Sequence, residues 1–314
     1  MNKFKLIILI IIVATGIFTF NSCRTNETID PNADIPNLGG YDYPRTALDD
    51  WLDANYLDPY NIKVIYHWDA VYAYSSSLGS TITPVQIDKV QPMMSALANV
   101  WFKPYKYAAP DGFLQKFTPK TIILVGSPEY SSNGTTETLG EAEGATMIFL
   151  TNANAFNASN AIGLKKYLHV IEHEFVHILC QNVVMPPAYK SITSQYYNPT
   201  GWQNYSSADS LTKVYQLGFI TAYSMTSPEE DFAEIVSNIL VYGLDNFKNT
   251  ILPLAAASKT NPNAAANLQQ KLNLAVQYYY DNYKINFYDD PAKGTTGLIN
   301  YVQQAVTNEV NSHQ

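Results

Sequence analysis

Residues 167–180 read YLHVIEHEFVHILC, a stretch that any fold of this chain must accommodate. Leu168, Val170, Ile171, Phe175, Val176, Ile178 and Leu179 surround three histidines and two glutamates. A helix so apolar is expected to be buried, and buried ionisable groups are costly unless they find partners or a metal ion. His173 and His177 are four apart, one turn apart on one helix face. Two imidazoles in that register can both reach one ion at ~2.0–2.1 Å. Glu174 points to the side of that face, where it can take a proton from a water on the ion. The plainer reading is a satisfied pair of helix histidines beside a surface glutamate, and the apolar neighbours argue against it.

His169 continues the histidine face by one more turn. At 1.5 Å per residue it starts ~12 Å along the axis from His177, so all three histidines are not expected on one ion. A cleft-lining or supporting role is left open for it, as is plain packing. The third ligand must come from elsewhere. A metzincin would place glycine where Cys180 stands and histidine where Val183 stands, so that subclass is excluded and Met185 marks no Met-turn. The other common solution is a carboxylate on a second helix. Residues 223–234 read YSMTSPEEDFAE. Glu230 and Glu234 share a helix face there: one can bind a metal while the other steadies a ligand histidine from behind. Ser227 with Glu230 also matches a helix-capping box, so Glu230 could be a cap alone. Glu229 and Asp231 point to other faces. Should Glu230 fail as a ligand, His169 or Asp209 is the next candidate. Tyr223 alone says little in a chain with 24 tyrosines. His67 and His313 receive no role.

The N-terminus has the layout of an export signal. Lys3 and Lys5 precede an apolar run, Leu6 to Phe20, that is short for a spanning helix, which needs about 20 residues. Cys23 follows closely, as in bacterial lipoproteins whose cysteine is lipidated, although Phe20 and Asn21 stand where Leu and Ala are usual. Residues 1–22 are therefore expected to be a signal peptide, and 23–42, rich in Pro, Asn and Gly, a tether. A single domain is expected over 43–314, with lobes at about 43–182 and 183–314. Charged residues make up 15% of the chain and the formal charge is −8, with no basic run, so nucleic acid is excluded as a partner. Cys23 and Cys180 are not expected to pair, and Cys180 reads as a small buried hydrophobe.

Strands are expected at Asn61–Trp68, Lys120–Gly126 and Ala145–Thr151. A helix starting from the box Thr83–Gln86 should carry Val90, Met94, Leu97 and Trp101 on one face and kink at Pro92. Ala161–Gln181 is the histidine helix. Beyond it Ser206–Tyr223, Pro228–Gly243, Asp245–Ser258, Pro262–Tyr283 and Thr296–Asn311 all read as helical. The fold class is α+β: a mixed N-terminal lobe, a helical C-terminal lobe, and the histidine helix between them, where a cleft would lie.

HEFVH followed by EDFAE, with Tyr223 seven residues before Glu230, resembles gluzincin-type metallopeptidases. More narrowly it resembles the zinc-binding metallopeptidase lipoproteins of Gram-negative envelopes, and more distantly the catalytic domain of anthrax-lethal-factor-like toxins. The resemblance covers about residues 160–240. It implies a zincin-like fold, Zn2+ held by His173, His177 and Glu230, Glu174 as general base, Tyr223 as a phenol on the oxyanion side, and Glu234 supporting a ligand. It implies hydrolysis of a peptide or protein substrate by a zinc-activated water. Joined to the signal, it implies an enzyme anchored by lipid at Cys23 in the cell envelope, at the outer membrane. The alternative is a non-catalytic envelope lipoprotein that keeps a zincin fold and captures peptide or glycan. The intact Glu174 favours the enzyme, since a binder needs no base.

Overall fold

The computed structural model describes residues 43–67, 82–130, 137–138, 140–143 and 146–314. The expected signal 1–22, Cys23 and the tether 23–42 lie outside the described residues, as do Trp68 and Ala145. The first helix, α1, runs Ala47–Leu52 and continues through a π turn, Asp53–Leu57, into Asp58–Tyr60. Thr46 and Asp49 close its start by reciprocal side-chain hydrogen bonds. Asn61, in the left-handed region at φ 57°, ends it.

Strand β1 is Lys63–Ile65, shorter than expected, because its ladder with β2 (Thr121–Leu124) stops at Ile65. Helix α2 spans Ile87–Leu97, then passes through a π turn, Ala98–Phe102, into α3, Lys103–Ala108. Its start is later than the sequence box implies. The Thr83–Gln86 segment is held extended: Pro84 bridges Val125, Gly126 N–H donates to Thr83 O, and Gln86 N–H donates to Asn154 Oδ1. Gly126 permits this close pass, since a Cβ there would sit 2.1 Å from Pro84 O. Helix α2 continues past Pro92, which lies on its exposed side, while Val90, Met94, Leu97 and Trp101 are buried as their spacing requires.

Helix α4 (Phe113–Phe117) leads into the sheet. Strands β3 (Glu129–Tyr130) and β4 (Glu137–Thr138) form a small antiparallel pair. Strand β5 (Gly140–Glu143) precedes β6 (Met147–Leu150). The main sheet has the order β1-β2-β6-β5, parallel except for β5, which runs antiparallel at the edge. Ile122–Leu124 and Ile148–Leu150 are buried without alternation, as a sheet covered on both faces demands.

Helix α5, Ala161–Asn182, is the histidine helix and lies against β5 and β6. Asn160 caps it, its Oδ1 accepting from Ile162 N–H and Gly163 N–H. At the other end Tyr283 OH donates at 2.8 Å to Leu179 O, which also accepts from Val183 N–H, and Tyr278 OH donates at 2.6 Å to Val183 O just past the helix. Tyr167 OH donates to Thr151 O and Asn152 O, tying α5 to the end of β6. The abundant tyrosines thus include several that act as long donors to backbone carbonyls.

The segment expected as one helix over 206–223 instead forms a short 3-10 turn, Ala208–Ser210, and α6, Leu211–Leu217. Gly218 ends α6 at φ 91°, and a second 3-10 turn holds Tyr223–Met225. Helix α7 spans Pro228–Asn246 and changes direction at Gly243, φ 84°. Gln303 Nε2 donates there to Leu240 O and Val241 O, satisfying carbonyls near the break. A π turn, Phe247–Ile251, then gives α8 (Leu252–Ala256), followed by α9 (Ala264–Tyr283) and α10 (Leu298–Ser312).

The molecule is therefore mixed α/β, mostly helical, with a small and largely parallel sheet. Thr46–Gln314 forms one compact unit. Its main core runs from Leu52 and Tyr56 through Trp101, Phe175 and Phe232 to Val302. A satellite core of Val214, Phe219, Ala222 and Met225 lies under Tyr196, Tyr197, Trp202 and Tyr205. Among the described residues no helix is long and apolar enough to cross a membrane.

Candidate metal centre

Helices α5 and α7 pack against each other, and the candidate residues face one another across that contact. The apolar sides of α5 are driven inward by Leu164, Leu168, Ile171, Phe175, Val176 and Leu179, all buried. Each such side chain contributes about 1.5–3 kcal/mol of transfer free energy. This burial fixes the rotation of α5 and so aims His173 and His177 at α7. Ser227 caps α7, its Oγ accepting from Glu230 N–H at 3.2 Å, with Pro228 in the first turn. The capping box is only half made. The Glu230 carboxylate does not return to the Ser227 backbone but turns to the two histidines.

His173 Nε2 lies 2.9 Å from Glu230 Oε2, His177 Nε2 lies 3.3 Å from the same oxygen, and the two Nε2 atoms are 3.1 Å apart. Three lone-pair-bearing atoms from two helices thus meet at one point. Ligand atoms about 2.0–2.2 Å from a tetrahedral zinc ion stand roughly 3.3 Å from one another, so the observed triangle has the size such an ion requires. Burial works against a charged His173, yet the adjacent Glu230 and Glu234 carboxylates outweigh it and hold the imidazole up at about 10. Burial likewise works to raise Glu230, and the hydrogen bonds from His173 and His177 bring it down to about 2. Two nitrogens and one carboxylate oxygen, converging from one buried and two half-buried side chains, fit a zinc ion.

Behind this triangle stands Glu234, almost fully buried. Its Oε1 lies 2.8 Å from His173 Nδ1, although out of line for a well-directed hydrogen bond, and 3.1 Å from His169 Nε2. Burial opposes its ionisation, and the neighbouring His169 and His173 overcome that and hold it well below the usual carboxylate range. Glu174 sits at the half-buried edge of the cluster, close enough for its charge to act on His173. The Tyr223 ring lies 5.8 Å from the His173 ring and 5.1 Å, edge-on, from Trp202. Asp209 lies in the 3-10 turn before α6 and is not one of the converging groups.

Two buried features next to the centre are not evident from motif spacing. Asp231, one residue after Glu230, is fully buried and paired with Lys271 Nζ of α9 at 2.6 Å. Tyr197 OH donates to Asp231 Oδ2 at 2.9 Å, and Lys271 Nζ donates to Gly218 O at 2.7 Å and lies 4.1 Å over the Phe219 ring. Burial pushes Asp231 up to about 6 despite Lys271, and pushes Lys271 down. Glu229, by contrast, is exposed and meets Lys190 at 2.6 Å. On α5, Glu172 faces away from the triangle into the core, where Tyr105 OH donates to it at 2.7 Å. Burial raises its carboxyl to about 8, against the hydrogen bond from Tyr105.

Comparison with known proteins places the chain. The family model described as "Putative zinc-binding metallo-peptidase" matches residues 42–288, and the chain belongs to that family. A crystal structure from Bacteroides caccae, of a protein given that same description, is similar to this one with a TM-score of 0.64 and 26% identity, over 86% of this chain and 95% of the other. No curated protein matches.

Proposed function

We propose that the chain is a zinc-dependent metallopeptidase of gluzincin type with a zincin-like fold, hydrolysing peptide bonds in a peptide or protein substrate. The observation that carries this reading is the meeting of His173 Nε2, His177 Nε2 and Glu230 Oε2 at one point. Zinc, when bound, supplies Lewis-acid polarisation of a carbonyl and draws the pKa of a water down toward ~7. His173 and His177 hold it from one helix, and Glu230 contributes negative charge from the other. Glu234, whose Oε1 lies against His173 Nδ1, would keep that ring turned with Nε2 toward Glu230 and His177. Glu174, beside the first histidine and open to solvent on one side, accepts the proton of the attacking water and passes it to the leaving amine. Tyr223, next to the His173 ring, donates its phenol hydrogen to the oxyanion that develops on the carbonyl.

Substituting Glu174→Gln keeps the shape and removes the base. Bound zinc should persist while turnover of a peptide library falls by roughly 10²–10⁴. Loss of zinc in that variant would make Glu174 a ligand and overturn the assignment. The proposal includes anchoring through lipid at Cys23 at the outer membrane, motivated by the apolar run before it. A Cys23→Ala protein should leave the membrane fraction or accumulate uncut, and one that fractionates and migrates as wild type contradicts it.

A further inference from the structure

The third histidine of α5 is not explained by the proposed reaction. His169 lies on the same face as His173 and His177, one turn further from the converging atoms, and its Nε2 approaches Glu234 Oε1 at 3.1 Å. The same oxygen lies 2.8 Å from His173 Nδ1. One carboxylate oxygen is thus shared by two imidazoles of one helix. His169 Nδ1 is buried and, among the described residues, has no hydrogen-bond partner. A hydrogen left on that atom would be a buried, unsatisfied donor, so the favoured tautomer carries its hydrogen on Nε2, pointed at Glu234. The ring is confined by Tyr242, 5.7 Å away between centroids, and its side chain is 18% exposed.

We infer that His169 is a positioning residue for the metal centre. It fixes Glu234 by donating to Oε1, and that oxygen, packed 2.8 Å from His173 Nδ1, in turn limits how the His173 ring can turn. The inference rests on the zinc reading above and adds to it a residue beyond the ligands and their carboxylate support. Without the His169 donor, Glu234 has one anchor fewer in a site where charge must be held by directed partners, and the His173 ring loses part of its orientation. His169 does not itself reach the ion, since its Nε2 is committed to Glu234.

The test is the zinc dissociation constant of the purified protein, measured by competition with a chelator, for wild type, His169→Leu, His169→Gln, Glu234→Ala and the double variant His169→Leu/Glu234→Ala. Removing an outer partner typically weakens a metal by 10–100-fold, and a partner one step further out should fall at about the lower end. His169→Leu is therefore expected to weaken zinc about tenfold. His169→Gln, whose amide can still donate to Glu234, should recover most of that loss. In the Glu234→Ala background His169→Leu should change nothing further. Equal zinc affinity in wild type and His169→Leu overturns the inference. So does a His169→Leu loss of the same size with and without Glu234, which would mean a general packing effect. Thermal melting of the metal-free proteins separates unfolding from loss of affinity. Failure of the zinc reading looks different: wild type itself would then bind no zinc.

Discussion

Glu230 and Asp231 are neighbours in the first turn of α7, and their carboxylates end in opposite surroundings. Asp231 is closed off. Lys271 and the Tyr197 hydroxyl both meet its Oδ2, and Lys271 donates in turn to Gly218 O, so positive and negative charge lie together inside the core. Glu230 is left half-open, and its partners are two histidine nitrogens that point at the same place as its own oxygen. A closed set of this kind holds structure together, whereas an open set converging on one point is built to hold something else. Burial works to raise both carboxyls, and it prevails at Asp231 despite Lys271, whereas His173 and His177 pull Glu230 down against it.

The two neighbours should therefore fail differently when altered. Glu230→Ala should weaken zinc by more than about a hundredfold, beyond the loss expected for an outer partner, while the protein still melts cooperatively. Metal content after gel filtration reads this, and a Glu230→Ala protein that keeps its zinc would erase the contrast. Asp231→Ala should do the reverse in kind. It strands Lys271 in the core and should cost about 3–5 kcal/mol of stability, readable from denaturant unfolding. Exchanging both partners for apolar residues, as in Asp231→Leu with Lys271→Met, should cost less than Asp231→Ala alone. If Asp231→Ala unfolds as wild type does, the ion pair is not the anchor described. The smallest effect belongs to the cap: Ser227→Ala should lose about 1 kcal/mol and leave zinc affinity unchanged. Loss of zinc on removing that hydroxyl would tie the Glu230 carboxylate to the cap after all.

The same contrast explains what could be read from the sequence. His173, His177, Glu230 and Glu234 were legible because each pair sits four apart on a helix, and helical spacing is a rule that sequence carries. Asp231 was read only as pointing to another face of α7. Its partner Lys271 is forty residues away, on a different helix, and no spacing links them. One signal was available: Lys271 falls on the buried stripe of Ala264, Leu268, Leu272, Ala275 and Tyr279, where a lone lysine needs a partner. The sheet was legible at β2 and β6, which are continuous apolar runs. Strand β5 was missed because GEAE has little strand character and is paired only through its antiparallel ladder to β6. The helix expected over 206–223 failed because Gly218 turns the chain and the aromatic segment around it packs as a satellite core. The Thr83–Gln86 box failed because tertiary hydrogen bonds to Gly126 and Asn154 hold those residues extended.

Whether His173, His177 and Glu230 together hold a metal is read from the zinc X-ray absorption spectrum of the purified wild-type protein, taken with its metal content. One zinc per chain is expected, with two imidazole nitrogens and a carboxylate oxygen among its ligands at about 2.0–2.2 Å and no sulfur. A protein that binds no zinc after incubation with the ion, or one whose spectrum contains a sulfur ligand or a single imidazole, would contradict it.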